Sequence, residues 1–470
     1  MTSAIRVPRL VIAGAASGVG KTTTVVALAA ALRARGLRVA TFKCGPDYLD
    51  PTYHARVIGG ASPNLDGWMM GREAVLATFE RASRDADVAL VEGVMGLFDG
   101  ASPTSDEGST AEIAKWLAAP VLVCIDVSGM ARTVAAVARG LAAFDGALRV
   151  AGVLGMGVGS NGHLKLLRES CPSPPVLGGL PRLPELSFPE RHLGLRRADT
   201  ETVPTRAVDD WGRVAADWLD LDAILAVARS APELVATAAA PPPALGRESL
   251  IRIAIASDEA FHFYYDDNLA RLQAAGAELV MFSPLHSAVL PQVDGVYLGG
   301  GYPELHAEAL AANHSMLDSL RAFAAADGAI YGECGGLMYL SQAIRTLDGQ
   351  THSMLGLVPG VAVMHERLQA LGYVEVETLE DSLLGPRGSA FRGHEFRHSV
   401  LAIDERAASS GVARPAYAVK RRRGGAIETT GVCVKRVLAS YVHAHWASNP
   451  TIPEHWVASC RSWRAVAERR

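Results

Sequence analysis

From Arg9 the chain runs through an apolar stretch, Arg9–Gly14, into Gly14-Ala15-Ala16-Ser17-Gly18-Val19-Gly20-Lys21-Thr22-Thr23 and then into an Ala-rich segment. Small residues at a strand-to-helix turn let backbone N–H groups converge on a polyphosphate, with the Lys21 ammonium for charge and the Thr22 hydroxyl for Mg²⁺. The spacing departs from GxxxxGK[ST] by one residue: Ala15 stands where the first glycine would, and Gly14 precedes it. Ser17, Gly18, Val19, Gly20, Lys21, Thr22 and Thr23 are the expected nucleotide contacts. A metal-bound nucleotide also needs a carboxylate at the end of a neighbouring strand, and the apolar run Asp87–Glu92 ends in one, Glu92. Between them lies Lys43-Cys44-Gly45-Pro46-Asp47-Tyr48-Leu49-Asp50-Pro51, where Pro and Gly fix a turn but do not account for Lys43, Asp47 and Asp50 together. Such a turn at the carboxyl end of an open α/β sheet is where ligands bind.

A second constellation lies far downstream. Gly332-Glu333-Cys334-Gly335-Gly336 joins an apolar run to a helical one, as a nucleophile elbow does with Cys in place of Ser. The glycines tolerate the strained turn, the helix N-terminus is expected to lower the thiol pKa, and the Gly335 N–H can serve an oxyanion. Upstream, Tyr297-Leu298-Gly299-Gly300-Gly301-Tyr302-Pro303-Glu304 follows another apolar run, and Gly300 and Gly301 can complete the oxyanion hole. A base must come from a distant segment. Ser440-Tyr441-Val442-His443-Ala444-His445-Trp446 offers two histidines at i and i+2, on one side of a strand. His365, His394 and His398 read as structural histidines.

The elements that must position these groups alternate. Strands are predicted at Arg9–Gly14, Arg38–Lys43, Asp87–Glu92, Pro120–Val127, Val150–Gly155 and Val176–Leu180, with helices at Lys21–Ala34, Arg72–Ala82 and Met130–Phe144. This βαβ rhythm implies a parallel sheet covered on both faces. Residues 231–248 carry an Ala/Pro tract and read as a linker between domains 1–230 and 249–470. Beyond it, strands Ile251–Ser257, Glu278–Phe282, Gly295–Leu298 and Gly328–Tyr331 alternate with helical Leu269–Ala275, Ser315–Ala326 and Leu337–Ala343. The fold class is α/β twice over: a P-loop domain, then a second, unrelated α/β domain.

Composition excludes several classes. The 470 residues carry 45 basic and 49 acidic side chains, a net charge of −4, so no broad basic face for nucleic acid is expected. The one dense basic run, Lys420 to Arg423, reads as a solvated turn. No long uncharged apolar stretch or secretory signal is seen, and six Cys without CxxC pairs point to a reducing, cytoplasmic setting without disulfides. Cys44, Cys124 and Cys433 read as packing residues.

The two constellations together resemble a class I glutamine amidotransferase domain of flavodoxin-like fold joined to a dethiobiotin-synthetase-like P-loop domain. The longer motifs narrow this: Phe42–Asp50, Asn64-Leu65-Asp66-Gly67-Trp68-Met69, Val91–Gly100, Pro189–Leu195, Gly299–Glu304 and Arg392-Gly393-His394-Glu395-Phe396 are similar to those of the cobyrinic acid a,c-diamide synthase family. The resemblance implies glutamine hydrolysis at Cys334, assisted by His443. It implies ammonia transfer to the first domain, where ATP and Mg²⁺ activate the a and c acetates of a corrin as acyl phosphates. It places Lys43, Asp47, Tyr48, Leu49, Asp50, Glu92 and Asp99 at the ATP and corrin site, with Thr22, Glu92 and Asp47 as metal ligands. A small-molecule tetrapyrrole, ATP and L-glutamine are the expected partners; nucleic acid and membrane are not, and a homodimer is left open. The same architecture would serve hydrogenobyrinic acid or nickel sirohydrochlorin, and a more distant reading is a P-loop ATPase switch with a degenerate amidotransferase domain. Two departures are visible. Leu154 is followed by Gly155-Met156-Gly157 where related P-loop enzymes carry an Asn, leaving nucleotide preference open. His445 occupies the place of the usual triad Glu, so the third triad member is unassigned.

Overall fold

A computed structural model describes residues 2–183, 188, 190–191, 194–195, 197–237, 250–404, 406, 409, 411–422 and 424–469. The chain forms two compact units, Met1–Ala239 and Ala240–Arg470.

The first unit is built on a seven-stranded sheet: β1 (Arg9–Gly14), β2 (Val39–Cys44), β3 (Asn64–Leu65), β4 (Val88–Glu92), β5 (Val121–Asp126), β6 (Val150–Met156) and β7 (Val176–Leu180), in the order β3-β2-β4-β1-β5-β6-β7. All neighbours are parallel. Central β1 and β4 are buried along their whole length, so their sequences read as unbroken apolar runs with no polar alternation. Helix α1 (Lys21–Ala34) packs its Val, Leu and Ala side chains into the same core as α7 (Thr205–Trp218). Strand order reverses beside β1, so the carboxyl ends of β1, β2 and β4 flank the crevice where such sheets bind ligands.

The expected linker does not begin as a tether. Leu234–Thr237, a short run with two β-branched residues, pairs antiparallel with Thr2–Ile5. The rest of the Ala/Pro tract lies outside the described residues, as do parts of the Pro189–Leu195 motif.

In the second unit, β8 (Ile251–Ala256), β9 (Ala277–Phe282), β10 (Gly295–Leu298) and β11 (Ala329–Glu333) begin a ten-stranded sheet. It continues through β12 (Ala370–Thr378), β13 (Ala390–Arg397), β14 (Arg414–Arg421), β15 (Glu428–Val434), β16 (Val437–Ser440) and β17 (His443–His445), in the order β9-β8-β10-β11-β16-β15-β14-β12-β13-β17. The first five strands in that order are parallel and the rest antiparallel, a half of which the sequence-level reading held little beyond the strand of His443 and His445. β16 and β17 stand five strands apart in this order, about 24 Å in a flat sheet, yet only Tyr441 and Val442 separate Ser440 from His443, a reach of about 10 Å. The antiparallel half must therefore curl until β17 returns to the carboxyl end of β11, where the elbow lies.

Two local expectations are corrected. The helix after the elbow, predicted over Leu337–Ala343, is α8 (Gly335–Leu340), and Ser341–Arg345 is already a strand. Lys420 and Arg421 end β14 instead of forming a turn, and Arg421 pairs with the buried carboxylate of Glu395 at 2.7 Å; Arg423 lies outside the described residues. All six cysteines are buried and free. Among the described residues, no helix is long and apolar enough to cross a membrane.

Candidate active sites

The loop between β1 and α1 is shaped by glycines whose backbone conformation or close contacts disfavour a side chain. Gly18 and Gly20 have φ of 72° and 94°, and a Cβ at Gly14 would fall 2.7 Å from Val19 Cγ1. Ser17 and Gly18 are exposed, Val19, Gly20, Thr22 and Thr23 half-buried, and Lys21 buried. Lys21 Nζ donates to the Met95 carbonyl at 2.6 Å and to Ala16 O at 3.3 Å. Burial, and secondarily the nearby Lys43, lower the pKa of its ammonium. Beside the loop, a cavity of about 590 Å³ is lined by Gly18, Gly20, Thr23, Asp126, Met156 and Arg182. Its rim carries an ion pair, Arg182 Nη2 to Asp126 Oδ2 at 3.0 Å.

Below the loop lies a cluster of buried charge. β2 and β4 are in register so that Lys43 stands opposite Glu92. Lys43 Nζ reaches Asp50 Oδ2 at 2.6 Å, Glu92 Oε1 at 2.7 Å and the Gly93 carbonyl at 3.2 Å. Thr22 Oγ1 donates to the same Glu92 oxygen at 2.7 Å, and His54 Nε2 donates to the other at 2.6 Å. Burial alone would raise the Glu92 carboxyl, but Lys43 and His54 hold it far below the usual range. Lys43 is correspondingly held cationic: burial works against it, and Asp50 and Glu92 outweigh burial. Asp50 shifts the other way. Its own burial raises it well above the usual range, and Asp47, which hydrogen-bonds its side chain, adds to the rise.

The rest of the predicted turn is held around this cluster. Leu49 N donates to Asp47 Oδ1 at 2.7 Å, and Asn64 Nδ2 clamps the carbonyls of Gly45 and Asp47 at 2.8 and 2.7 Å. Tyr48 is half-buried in the same turn. Asp99 is exposed and accepts from Gly96 N at 3.0 Å. Of the three predicted metal ligands, Thr22 and Glu92 are brought together; Asp47 reaches them through Asp50 and Lys43. Among the described residues no three His, Cys, Asp or Glu side chains form a metal cage. A hydroxyl and a carboxylate, both hard oxygen donors, nevertheless fit a Mg²⁺ that takes its other ligands from phosphate and water.

In the second unit Cys334 sits between β11 and α8 with φ 48° and ψ −100°, a conformation that L-residues seldom adopt and that marks a strained elbow. The neighbouring glycines permit it. A Cβ at Gly336 would lie 2.0 Å from Leu298 O, and one at Gly335 would lie 3.1 Å from Gly301 N. The thiol is not depressed as the helix N-terminus suggested. Burial pushes it up to about 12, and the Gly335 N–H offsets only part of this. α8 has six residues and brings too little field to win.

The His443 ring packs on Gly300, where its Cε1 would meet an added Cβ at 2.4 Å. Gly300 and Gly301 in turn form a short strand against Phe261–Phe263. Gly335, next to Cys334, and His443 thus border the same Gly300-Gly301 segment. Burial, then His394, directly across from it on β13, lower His443 to about 3, so its imidazole is neutral and able to accept a proton. His445 is structural: its Nδ1 accepts from Ala447 N, its ring lies 4.8 Å from that of Tyr265, and burial lowers it to about 4.

Residues 10–195 match the CobQ/CobB/MinD/ParA nucleotide binding domain family, and residues 252–451 match the CobB/CobQ-like glutamine amidotransferase domain family. The cobyrinate a,c-diamide synthase of Leptospira interrogans serogroup Icterohaemorrhagiae serovar copenhageni is 50% identical over 456 residues, 97% of this chain and 99% of that protein. Those of Syntrophotalea carbinolica and of Dehalococcoides mccartyi strain CBDB1 are 47% and 42% identical, covering 97% and 96% of this chain and 99% and 97% of theirs. The chain belongs to the cobyrinate a,c-diamide synthase family.

The structure brings forward residues that the motifs of this synthase family chain do not mark. His54 was missed, although it lies four residues after Asp50 on α2 (Asp50–Ile58), a spacing that puts both on one helix face. Its Nδ1 faces Ser62 Oγ at 3.0 Å. Asn64 was read only as part of a motif, and Glu333 only as a neighbour of Cys334. Asn268, wholly buried, bonds both Ala444 O and Trp446 N, and no local signal marks it.

Proposed function

We propose that this protein uses ATP and glutamine to convert the a and c acetate carboxylates of cobyrinic acid into amides, each through an acyl phosphate. What supports the reading most is that one chain holds groups suited to each half of that reaction: Cys334, His443 and the Gly300-Gly301 segment in one unit, the phosphate loop with Glu92 and Lys43 in the other.

In the glutaminase half, the His443 imidazole takes the Cys334 proton as Sγ attacks the glutamine carboxamide carbon. The N–H groups of Gly300, Gly301 and Gly335 receive the oxyanion. The imidazolium returns its proton to the leaving nitrogen, ammonia departs, and water releases glutamate from the thioester. With the thiol pushed up and the imidazole pushed down, the resting pair is neutral, so proton transfer coincides with attack.

In the synthetase half, the Ser17–Thr23 loop and Lys21 bind the ATP phosphates. Thr22 Oγ1 and Glu92 would hold Mg²⁺, with Asp47 close behind; when bound, the ion neutralises charge on the phosphates. Lys21 leaves the Met95 carbonyl for a phosphate oxygen. Lys43, Asp47, Tyr48, Leu49, Asp50 and Asp99 line the side where the carboxylate attacks the γ-phosphate. Ammonia then displaces phosphate from the acyl carbon. A carboxylate at neutral pH has no leaving group, which is why ATP is required.

The test is an incubation with ATP, Mg²⁺ and glutamine and, separately, cobyrinic acid, hydrogenobyrinic acid or nickel sirohydrochlorin, read by mass spectrometry. Cobyrinic acid should lose about one mass unit twice, as NH₂ replaces OH. Amidation of another macrocycle instead, or of none while glutamine is consumed, overturns the substrate.

A further inference from the structure

We infer that Glu333 is the positioning residue for His443, tying the strand that carries the base to the elbow that carries the nucleophile. The inference rests on the reading above, in which Cys334 and His443 perform the glutaminase chemistry.

Glu333 is the last residue of β11 and directly precedes Cys334. Glu333 is 1% exposed, and three donors reach its carboxyl. Tyr297 Oη donates to Oε2 at 2.8 Å, Tyr331 Oη to Oε1 at 2.7 Å, and the backbone N–H of Ala444 to Oε1 at 3.0 Å. Both tyrosines are buried in the core beneath β10 and β11, so the carboxyl is fixed from below before it meets β17.

Ala444 lies between His443 and His445, the middle of a three-residue strand that pairs only with β13 in the sheet. Three residues of edge strand are weakly held by pairing alone. In an antiparallel pair, alternate residues turn their N–H and C=O away from the partner strand. For Ala444 both groups are taken by buried side chains: its N–H by Glu333, its C=O by Asn268 Nδ2 at 2.7 Å. Asn268 Oδ1 also accepts from Trp446 N at 2.9 Å. Ala444, the residue after His443, is thus clamped through both of its backbone polar groups, and one jaw is continuous with the Cys334 elbow. In amidotransferases with a triad, a carboxylate after the histidine orients the ring directly; here that position is His445, and a carboxyl before the cysteine holds the histidine's backbone.

A positioning role of this kind needs an acceptor of the right shape, and charge is secondary. Glu333→Gln keeps a carbonyl oxygen for Ala444 N–H; Glu333→Ala keeps nothing. The experiment uses the full chain and measures glutamine hydrolysis alongside synthesis driven by free ammonia. Glu333→Ala should lower glutaminase kcat about 100-fold, the loss that a roughly 1 Å misplacement brings, with KM for glutamine and ammonia-driven synthesis unchanged. Glu333→Gln should restore kcat to within about threefold. Wild-type kcat in Glu333→Ala, or a folded Glu333→Gln as slow as Glu333→Ala, overturns the proposal. Should Glu333→Ala not fold, Tyr331→Phe removes one of the donors that fix Oε1; an unchanged glutaminase kcat there also overturns it. Cys334→Ala separates the two levels: if it still consumes glutamine, the underlying reading of the elbow fails, whatever Glu333 does.

Discussion

His54 Nε2 donates to Glu92 Oε2 at 2.6 Å, and neither side chain is exposed to solvent. Glu92 is a buried carboxylate with a donor on each oxygen, His54 on one and Lys43 with Thr22 on the other. Removing one partner of a buried charge costs far more than a surface pair is worth, because the charge stays behind short of a donor. His54→Ala should therefore destabilise the first unit by about 3 kcal/mol and lower its melting transition by about 10 °C. ATP-dependent synthesis should be lost while glutamine hydrolysis persists. Calorimetry and the two assays check this; an unshifted transition would mean that Lys43 and Thr22 suffice to hold Glu92.

The resting thiol offers a second test. With Cys334 pushed up to about 12 by burial, only a trace of thiolate exists at pH 7, and that trace grows with each pH unit. Alkylation by iodoacetamide should be slow at pH 7 and climb without a plateau through pH 9.5. An ordinary thiol, half ionised near 8.5, would level off within that range. Cys334→Ala supplies the background from the five other buried cysteines.

Backbone approach at the elbow leaves no room for a side chain. A methyl at Gly336, on α8, would stand 2.0 Å from the backbone carbonyl oxygen of Leu298 at the end of β10, and no flexible side chain lies between them to move aside. Gly336→Ala should cost about 3 kcal/mol and abolish glutamine use, with ammonia-driven synthesis retained. Comparable glutaminase activity in that variant would show that the elbow is more yielding than its geometry implies.

How much of this was legible beforehand follows from what each residue answers to. Arg9–Gly14, Lys21–Ala34 and Gly295–Leu298 end where their apolar runs end, since strands covered on both faces and a core helix write continuous hydrophobic signals. Lys21, Cys334 and the flanking glycines announce themselves because their chemistry is local to a turn. Ser341 was overrun because Leu337–Ala343 has the composition of either element, and pairing of Ser341–Arg345 with two other strands decides. His54 and Glu333 take their meaning from partners 38 and 111 residues away in sequence, Glu92 and Ala444, which no window along the chain brings together. The thiol failed to follow its helix for a similar reason: burial is a property of the whole fold.

Glu333 also makes stability depend on pH. Burial raises its carboxyl from 4.5 to about 7, only partly offset by the Tyr331 and Tyr297 hydroxyls and the Ala444 N–H, with no cation among the causes. Its folded-state value lies above its unfolded one. The unfolded chain therefore releases a proton, between pH 4.5 and 7, that the folded chain retains. The stability that the protonated form contributes is complete below about 4.5 and lost as pH rises through about 7. The span corresponds to about 3 kcal/mol at 1.36 kcal/mol per unit. Glu333→Gln cannot ionise, so its second unit should melt close to wild type at pH 5 and about 10 °C higher at pH 8. Calorimetric scans of both proteins at the two pH values decide it. Parallel shifts would mean that Glu333 stays protonated, or stays ionised, across the whole range, and the carboxyl would then have no part in the pH response.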